Sequence, residues 1–159
     1  MALILVTGMS GTGKSTVLNL LSEQGFRVVD TDVGGWIEEA PTPDGDGGER
    51  QWREARIDAL LTEHERSGEL LFIGGTVWNQ YKFYPRFDHV VLLSAPIDVM
   101  LARIAARDTN PFGKAVEDRE RIAADTVQVV PLLRAAATVE IDTRRPPADV
   151  TAQLAAFAR

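Results

Sequence analysis

The residues with the clearest chemical meaning are Gly8-Met9-Ser10-Gly11-Thr12-Gly13-Lys14-Ser15, followed by Thr16. Gly8, Gly13, Lys14 and Ser15 stand at the spacing G-x-x-x-x-G-K-[ST] of phosphate-binding loops. Glycines let the backbone turn tightly, so that N–H groups and the positive end of the next helix converge on a phosphate chain. The Lys14 ammonium can then reach the β- and γ-phosphates, and the Ser15 hydroxyl can ligate Mg²⁺. Gly8, Ser10, Gly11, Thr12, Gly13, Lys14, Ser15 and Thr16 are therefore the candidate cradle for ATP. An ordinary glycine-rich turn is the competing reading. The flanks oppose it: Ala2–Val6 reads as a buried strand, and Thr16–Leu21 opens an amphipathic helix carrying Val17, Leu18, Leu20 and Leu21.

Three further groups could do chemistry. Asp30-Thr31-Asp32 places two carboxylates at the end of a predicted strand. Asp30 could hold Mg²⁺, directly or through water, while Asp32 accepts the proton of an attacking hydroxyl; alternatively, either acid caps the next helix. Gly74-Gly75-Thr76 ends another strand, as a tight turn, a place where a substrate meets the backbone, or both. Arg103, Arg107 and Lys114 bracket the breaker run Asp108–Gly113. They read as a lid folding over phosphates at about 108–115, or as solvated surface cations.

Positioning these groups requires alternating elements. Strands are expected at 2–6, 26–30, 70–73, 89–93 and 138–142. Helical spacing recurs at Ile97, Met100, Leu101 and Ile104, and a last helix spans 149–157. Such alternation predicts an α/β fold, a parallel sheet with helices on both faces and ligands beyond the carboxyl ends of the strands. Pro41–Gly48 reads as a mobile acceptor-side loop of about 40–49, and 1–159 as one domain. His64 is placed on a polar helix face and His89 at a strand start, neither with ligand spacing.

The 159 residues carry 17 Lys+Arg against 23 Asp+Glu, a net charge of −6, which argues against a nucleic-acid polymer or a membrane as partner. Cysteine is absent, excluding thiolate metal sites and disulfides. No apolar run approaches the roughly 20 residues of a membrane span, and the N-terminus resembles no signal peptide, so a cytoplasmic location is expected.

With these residues in view, the chain resembles the shikimate kinase group of small P-loop kinases, within the nucleoside monophosphate kinase superfamily. Asp30-Thr31-Asp32-Val33 reproduces that group's D-T-D. Gly48-Glu49-Arg50-Gln51-Trp52-Arg53 resembles its G-E-x-x-F-R, and Pro131-Leu132-Leu133 its P-L-Y. The resemblance implies a three-layer α/β/α fold whose five-stranded parallel sheet runs in the order 2-3-1-4-5. It links Asp30 to Mg²⁺ and Asp32 to the acceptor, and gives Arg53 the acceptor's carboxylate. Arg107 and Lys114 take the places of two lid arginines. Ile141–Pro146, with Arg144 and Pro146, becomes the adenine-side segment.

The departures fall on the acceptor side. Thr76 replaces the group's third glycine, Val129 its second carboxylate-binding arginine, and Arg56 an acid downstream of Arg53. A carboxylate loses a bidentate, charge-assisted partner when an arginine becomes valine. In its place stands Val77-Trp78-Asn79-Gln80-Tyr81-Lys82-Phe83-Tyr84, whose layout is also similar to the atypical, short-lidded adenylate kinases. Aromatic faces stack on flat rings, and Asn79 and Gln80 could read base edges; core packing is the competing role, above all for Phe83 and Tyr84. Trp36 and Trp52 flank the loop, either closing over an acceptor or packing. The expected activity is transfer of the γ-phosphate of Mg·ATP to a small-molecule acceptor, a nucleoside, nucleotide or polyol in preference to shikimate. Gly74, Gly75, Arg53, Asn79, Gln80 and Asp32 are the expected substrate contacts, and Lys14, Asp32 and Lys114 the catalytic groups. A P-loop ATPase and a shikimate kinase proper are the alternatives.

Overall fold

A computed structural model of the chain describes residues 3–9, 11–41, 48–106 and 116–157. Ser10, Arg107, Lys114, the expected lid at 108–115 and most of the expected loop at 40–49 lie outside the described residues.

Five apolar segments form one parallel sheet: β1 (Leu3–Thr7), β2 (Arg27–Asp30), then, past a hairpin, β5 (Leu71–Gly74), β6 (His89–Ser94) and β7 (Val139–Asp142). Their order is β2-β5-β1-β6-β7. Numbered within the sheet alone this is 2-3-1-4-5, as expected, and each strand begins and ends within two residues of its predicted bounds. Alternation along the central strands feeds two cores, as the period of two requires. Leu3, Leu5, Leu71 and Ile73 face Trp52, Ile57, Leu61 and Phe83. Ile4, Val6 and Phe72 face Val17, Leu18, Leu21, Val150 and Leu154.

The second core is roofed by α1 (Lys14–Glu23) and α5 (Pro147–Ala156). Pro147 occupies the first turn of α5, where its missing N–H costs nothing. The first core is covered by α2 (Glu54–Ser67), whose stripe Ile57, Leu60, Leu61 and His64 has helical spacing. His64 is thus corrected from the polar face to the buried one: its flanking charges suggest exposure, but it sits three residues after Leu61. Helices α3 (Ile97–Ala105) and α4 (Val116–Ala136) pack near β6, and α4 carries Pro131 in its interior.

Helix α4 is not read from the sequence, and neither is the antiparallel hairpin of β3 (Ile37–Pro41) and β4 (Gly48–Trp52). The expected loop at 40–49 is therefore corrected: its two flanks are strands. The two strands hold a single apolar cross-strand pair, Ile37 opposite Trp52, and otherwise Glu38 opposite Gln51 and Glu39 opposite Arg50. One apolar pair leaves no alternation to detect. What holds the hairpin down is Trp52, fully buried and edge-on to Phe83 at 5.8 Å, its indole N–H donating to Thr31 Oγ1 at 2.9 Å.

Candidate active site

The phosphate loop leaves β1 and enters α1 through Gly13. Gly11 has φ 85°, and a side chain there would strike the backbone of Met100, so only glycine suits the turn. Lys14 folds back across the loop, its Nζ donating to the carbonyl of Gly8 at 3.3 Å and to Thr76 Oγ1 at 3.2 Å. Burial holds its pKa below the ordinary lysine range. Asp32 and then Asp30 oppose that shift, and Arg50 adds to it. An ammonium disfavoured by burial gains much from an incoming polyanion.

Thr76 is the joint of this arrangement. Its hydroxyl donates to Gly8 O at 2.6 Å, accepts from Gly8 N at 3.0 Å, and lies 3.0 Å from Thr7 Oγ1. The residue that departs from the resemblance thus ties strand β5 to the phosphate loop and holds the loop's lysine. The sequence marks Thr76 as a lost glycine at a strand-end turn, without a partner for its hydroxyl. The signal was its place at the carboxyl end of the strand beside β1.

The D-T-D segment divides its labour by direction. Thr31 points inward, donating to Gly74 O at 2.7 Å while receiving the Trp52 indole. Asp30 Oδ1 accepts the backbone N–H of Asp32 at 3.0 Å, shaping the turn. Asp32 faces a cavity of about 490 Å³ whose walls include Gly8, Lys14, Ser15, Arg50 and Thr76. The cavity therefore gathers the lysine, the hydroxyl and one carboxylate, with Asp30 near enough to act on Lys14 through charge.

A second cavity of about 520 Å³ shares Gly11, Gly13 and Thr16 with the first and extends to Arg144 and Pro146, where the adenine side was expected. Arg144 is clamped to Asp142, with its closest contact at 2.6 Å. Arg103, grouped with the lid in sequence, is corrected to an internal strut: it donates to Gly11 O at 3.1 Å and to Thr143 O at 2.6 Å. Thr12 is buried, its hydroxyl donating to Met9 O at 2.8 Å.

Several acceptor-side expectations do not survive. Asn79 and Gln80 are 0% and 2% exposed. The Asn79 amide accepts from Trp52 N at 2.9 Å and donates to Trp52 O at 3.1 Å, and it also donates to Glu54. Gln80 accepts from Val77 N and donates to Thr7 Oγ1 and Tyr84 Oη. Both amides are consumed in holding the hairpin and the 3₁₀ turn of Gln80–Arg86, and neither faces a ligand. Gly74 and Gly75 are glycine because Leu18 fills the space a side chain would take at one, and Thr31 with Trp52 the space at the other. Trp52 packs in the core, and Trp36 stacks under the Arg56 guanidinium at 4.3 Å. Arg53 turns to Glu38 at 3.5 Å, on the hairpin face opposite Asp32. In its stead Arg50 enters the cavity, 3.5 Å from Asp32. Residues 50 and 52 share a strand face, so burying Trp52 aims Arg50 inward. Nothing in the sequence marked that strand, which is why the arginine was missed.

This is the fold of a P-loop kinase. A shikimate kinase from Acinetobacter baumannii, solved with shikimate, superposes with a TM-score of 0.65 at 24% identity, covering 99% of this chain and 92% of that one. A shikimate kinase from Bacteroides thetaiotaomicron gives 0.63 at 17% identity, covering 98% and 97%. A sugar kinase from Janibacter gives 0.63 at 16%, covering 99% and 94%. The AAA domain family matches residues 4–125, and the chain belongs to that family. A nucleotide-binding protein of Gluconacetobacter diazotrophicus is 28% identical over 147 residues, 91% of this chain; the chain spans 38% of that relative's length.

Proposed function

We propose that the protein is an ATP-dependent phosphotransferase that moves the γ-phosphate of Mg·ATP to a hydroxyl of a small polyol-like acceptor. The observation that carries this reading is one cavity in which Lys14, Ser15 and Asp32 meet beside the phosphate loop. Among the described residues no three acidic, His or Cys side chains cluster as a metal cage. That donor set suits Mg²⁺, which takes one or two protein oxygens and completes its shell from phosphates and water. Ser15 and Asp30 would hold it, and when bound it offsets charge on the β- and γ-phosphates.

The triphosphate lies along Gly8 to Thr16, with Lys14 on the β- and γ-oxygens and the base toward Arg144 and Pro146. Asp32 orients the acceptor hydroxyl and takes its proton as the new O–P bond forms. The bond from γ-phosphorus to the β-γ bridging oxygen breaks, ADP leaves, and Asp32 returns the proton to solvent. Arg107 and Lys114, which lie outside the described residues, are assigned to the phosphates by the resemblance alone.

Shikimate fits poorly, because Val129 supplies no cation where the resemblance places the second carboxylate-binding arginine. A base-reading pocket fits poorly too, because the amides of Asn79 and Gln80 are spent. What the cavity offers an acceptor beside the phosphate loop is a carboxylate, Asp32, and an arginine, Arg50, groups suited to binding hydroxyls.

The test is ADP release from Mg·ATP with no acceptor, shikimate, nucleosides, nucleoside monophosphates and a panel of sugars and polyols, each singly. Stimulation by a polyol supports the reading; stimulation by shikimate or a nucleotide replaces the acceptor class. A rate indifferent to every acceptor favours the competing reading, an ATPase. Lys14→Ala should abolish ADP release in every arm while the melting temperature stays within a few degrees; turnover at the parental rate would dismiss the phosphate-loop assignment.

A further inference from the structure

Lys14 has a cationic neighbour that is not part of the phosphate loop. Arg50 comes from the hairpin and lines the same cavity as Gly8, Lys14, Ser15, Asp32 and Thr76. Its side chain is 57% exposed and its ion pair to Asp32 is long at 3.5 Å. It is therefore weakly held and free to exchange partners. It sits close enough to Lys14 for the two charges to oppose one another. The two cations share the cavity with Asp32, and a polyanion lying between them adds to the compensation that Asp32 and Asp30 give Lys14 in the free protein.

The placement is built rather than incidental. Strand alternation sets Arg50 on the face of Trp52, and Trp52 is fixed by the indole bond to Thr31 and by two backbone bonds to Asn79. The backbone of Arg50 is itself joined to that of Trp78, whose N–H donates to Arg50 O at 3.5 Å. Of the nearby arginines, Arg53 points to Glu38 and Arg56 donates to the carbonyls of Gly34 and Gly35; Arg50 is the one that lines this cavity.

We propose that Arg50 is a catalytic residue that leaves Asp32 when Mg·ATP and acceptor are bound and donates its N–H groups to the transferring phosphoryl group. The hairpin then supplies, within the same chain, the charge stabilisation that an inserted arginine gives in other phosphoryl transfers. The exchange also frees Asp32: the carboxylate surrenders its guanidinium partner as the acceptor hydroxyl arrives, so base and cation are released together. This rests on the phosphotransfer reading only in that a phosphoryl group is transferred; water as acceptor would serve equally.

The experiment compares the parent with Arg50→Ala and Arg50→Lys, using the acceptor that stimulates ADP release best, and follows acceptor-free ADP release alongside. Arg50→Ala should lower kcat by about 10²–10³-fold, the usual effect of removing one charge-stabilising donor. Its Kd for Mg·ADP, which lacks the transferred group, should stay within about threefold of the parent, the small change expected where ground-state binding is untouched. Added guanidinium should restore part of the rate of Arg50→Ala, whereas Arg50→Lys should remain well below the parent because a point charge does not reproduce the planar fork. A kcat for Arg50→Ala within about threefold of the parent overturns the proposal, as does a loss confined to the acceptor KM, which marks ground-state binding. If no acceptor stimulates the parent, the kinase reading fails by itself. The Arg50 proposal is then decided by acceptor-free ADP release, which falls in Arg50→Ala if it is right and is unchanged if it is wrong.

Discussion

Lys14 and Thr76 show how a departure from a family pattern becomes machinery. A glycine at 76 would leave the ammonium with Gly8 O alone. The threonine adds a hydroxyl that holds both the lysine and the turn of the loop. Thr76→Ser retains that hydroxyl and should keep most activity. Thr76→Val keeps the shape but loses the hydroxyl's four contacts, one of them to the Lys14 ammonium, and should raise the Kd for Mg·ADP and lower kcat together, by about tenfold for that lost charge-assisted bond of roughly 1.5 kcal/mol. Equal activity in both variants would show the hydroxyl to be idle.

Lys14 also makes a pH prediction. Its pKa in the free protein is below 10.5, so its charge is lost at lower pH than in the unfolded chain. The unfolded state then binds more protons, and this residue's penalty on folding, full below the lowered pKa, fades as pH rises toward 10.5. Bound phosphate favours the ammonium. Binding of Mg·ADP should therefore take up protons in alkaline buffer and weaken as pH rises through the lowered pKa. Calorimetry in two buffers of different ionisation heat measures the uptake; no uptake anywhere below the ordinary lysine pKa would contradict it.

Among the elements, the sheet strands and the hairpin were unequally legible. Sheet strands are continuous apolar runs bounded by glycine and acids, a signal held within each segment. The phosphate loop is legible for the same reason, since eight adjacent residues contain its whole logic. The hairpin depends on what its strands meet: one indole under a threonine, and an amide bonded to both backbone groups of Trp52. Residue type could not tell whether Asn79 and Gln80 would face a ligand or saturate a buried backbone, and Arg50 could not be aimed without knowing that Trp52 was in a strand. Asn79→Ala should accordingly act on the hairpin. It orphans a buried N–H and a buried C=O at Trp52, at about 1–3 kcal/mol each, and should lower the melting temperature by several degrees. Preference among nucleotide and polyol acceptors should stay as in the parent; an altered preference at unchanged stability would return Asn79 to the acceptor site.

For the whole molecule, the sheet separates chemistry from support. Nucleotide and acceptor groups gather at the carboxyl ends of the strands, while His64 is buried near Asp88 and Arg27, beside the strands' opening residues. His64 is 4% exposed and its Nδ1 has no hydrogen-bond partner. Burial lowers its pKa below 6.5; Asp88 and Glu65 oppose that shift, and Arg27 and the N-terminus reinforce it. The unfolded chain thus binds the proton first. Stability from this residue is complete above about pH 6.5 and is lost as pH falls through the lower folded value. Urea unfolding followed from pH 8 to about pH 5 should show that decline in the parent and a shallower one in His64→Leu; parallel curves would show that other groups set the acid limit. No helix among the described residues is long and apolar enough to cross a membrane.

The antiparallel register of the hairpin has a consequence for how such an enzyme could diversify. Trp52 must stay buried, so a single residue inserted between it and position 50 would turn Arg50 to solvent and bring its neighbour to the phosphate. A one-residue length change in this strand is therefore a switch between two chemistries of the same scaffold, reached without altering a single side chain of the nucleotide half.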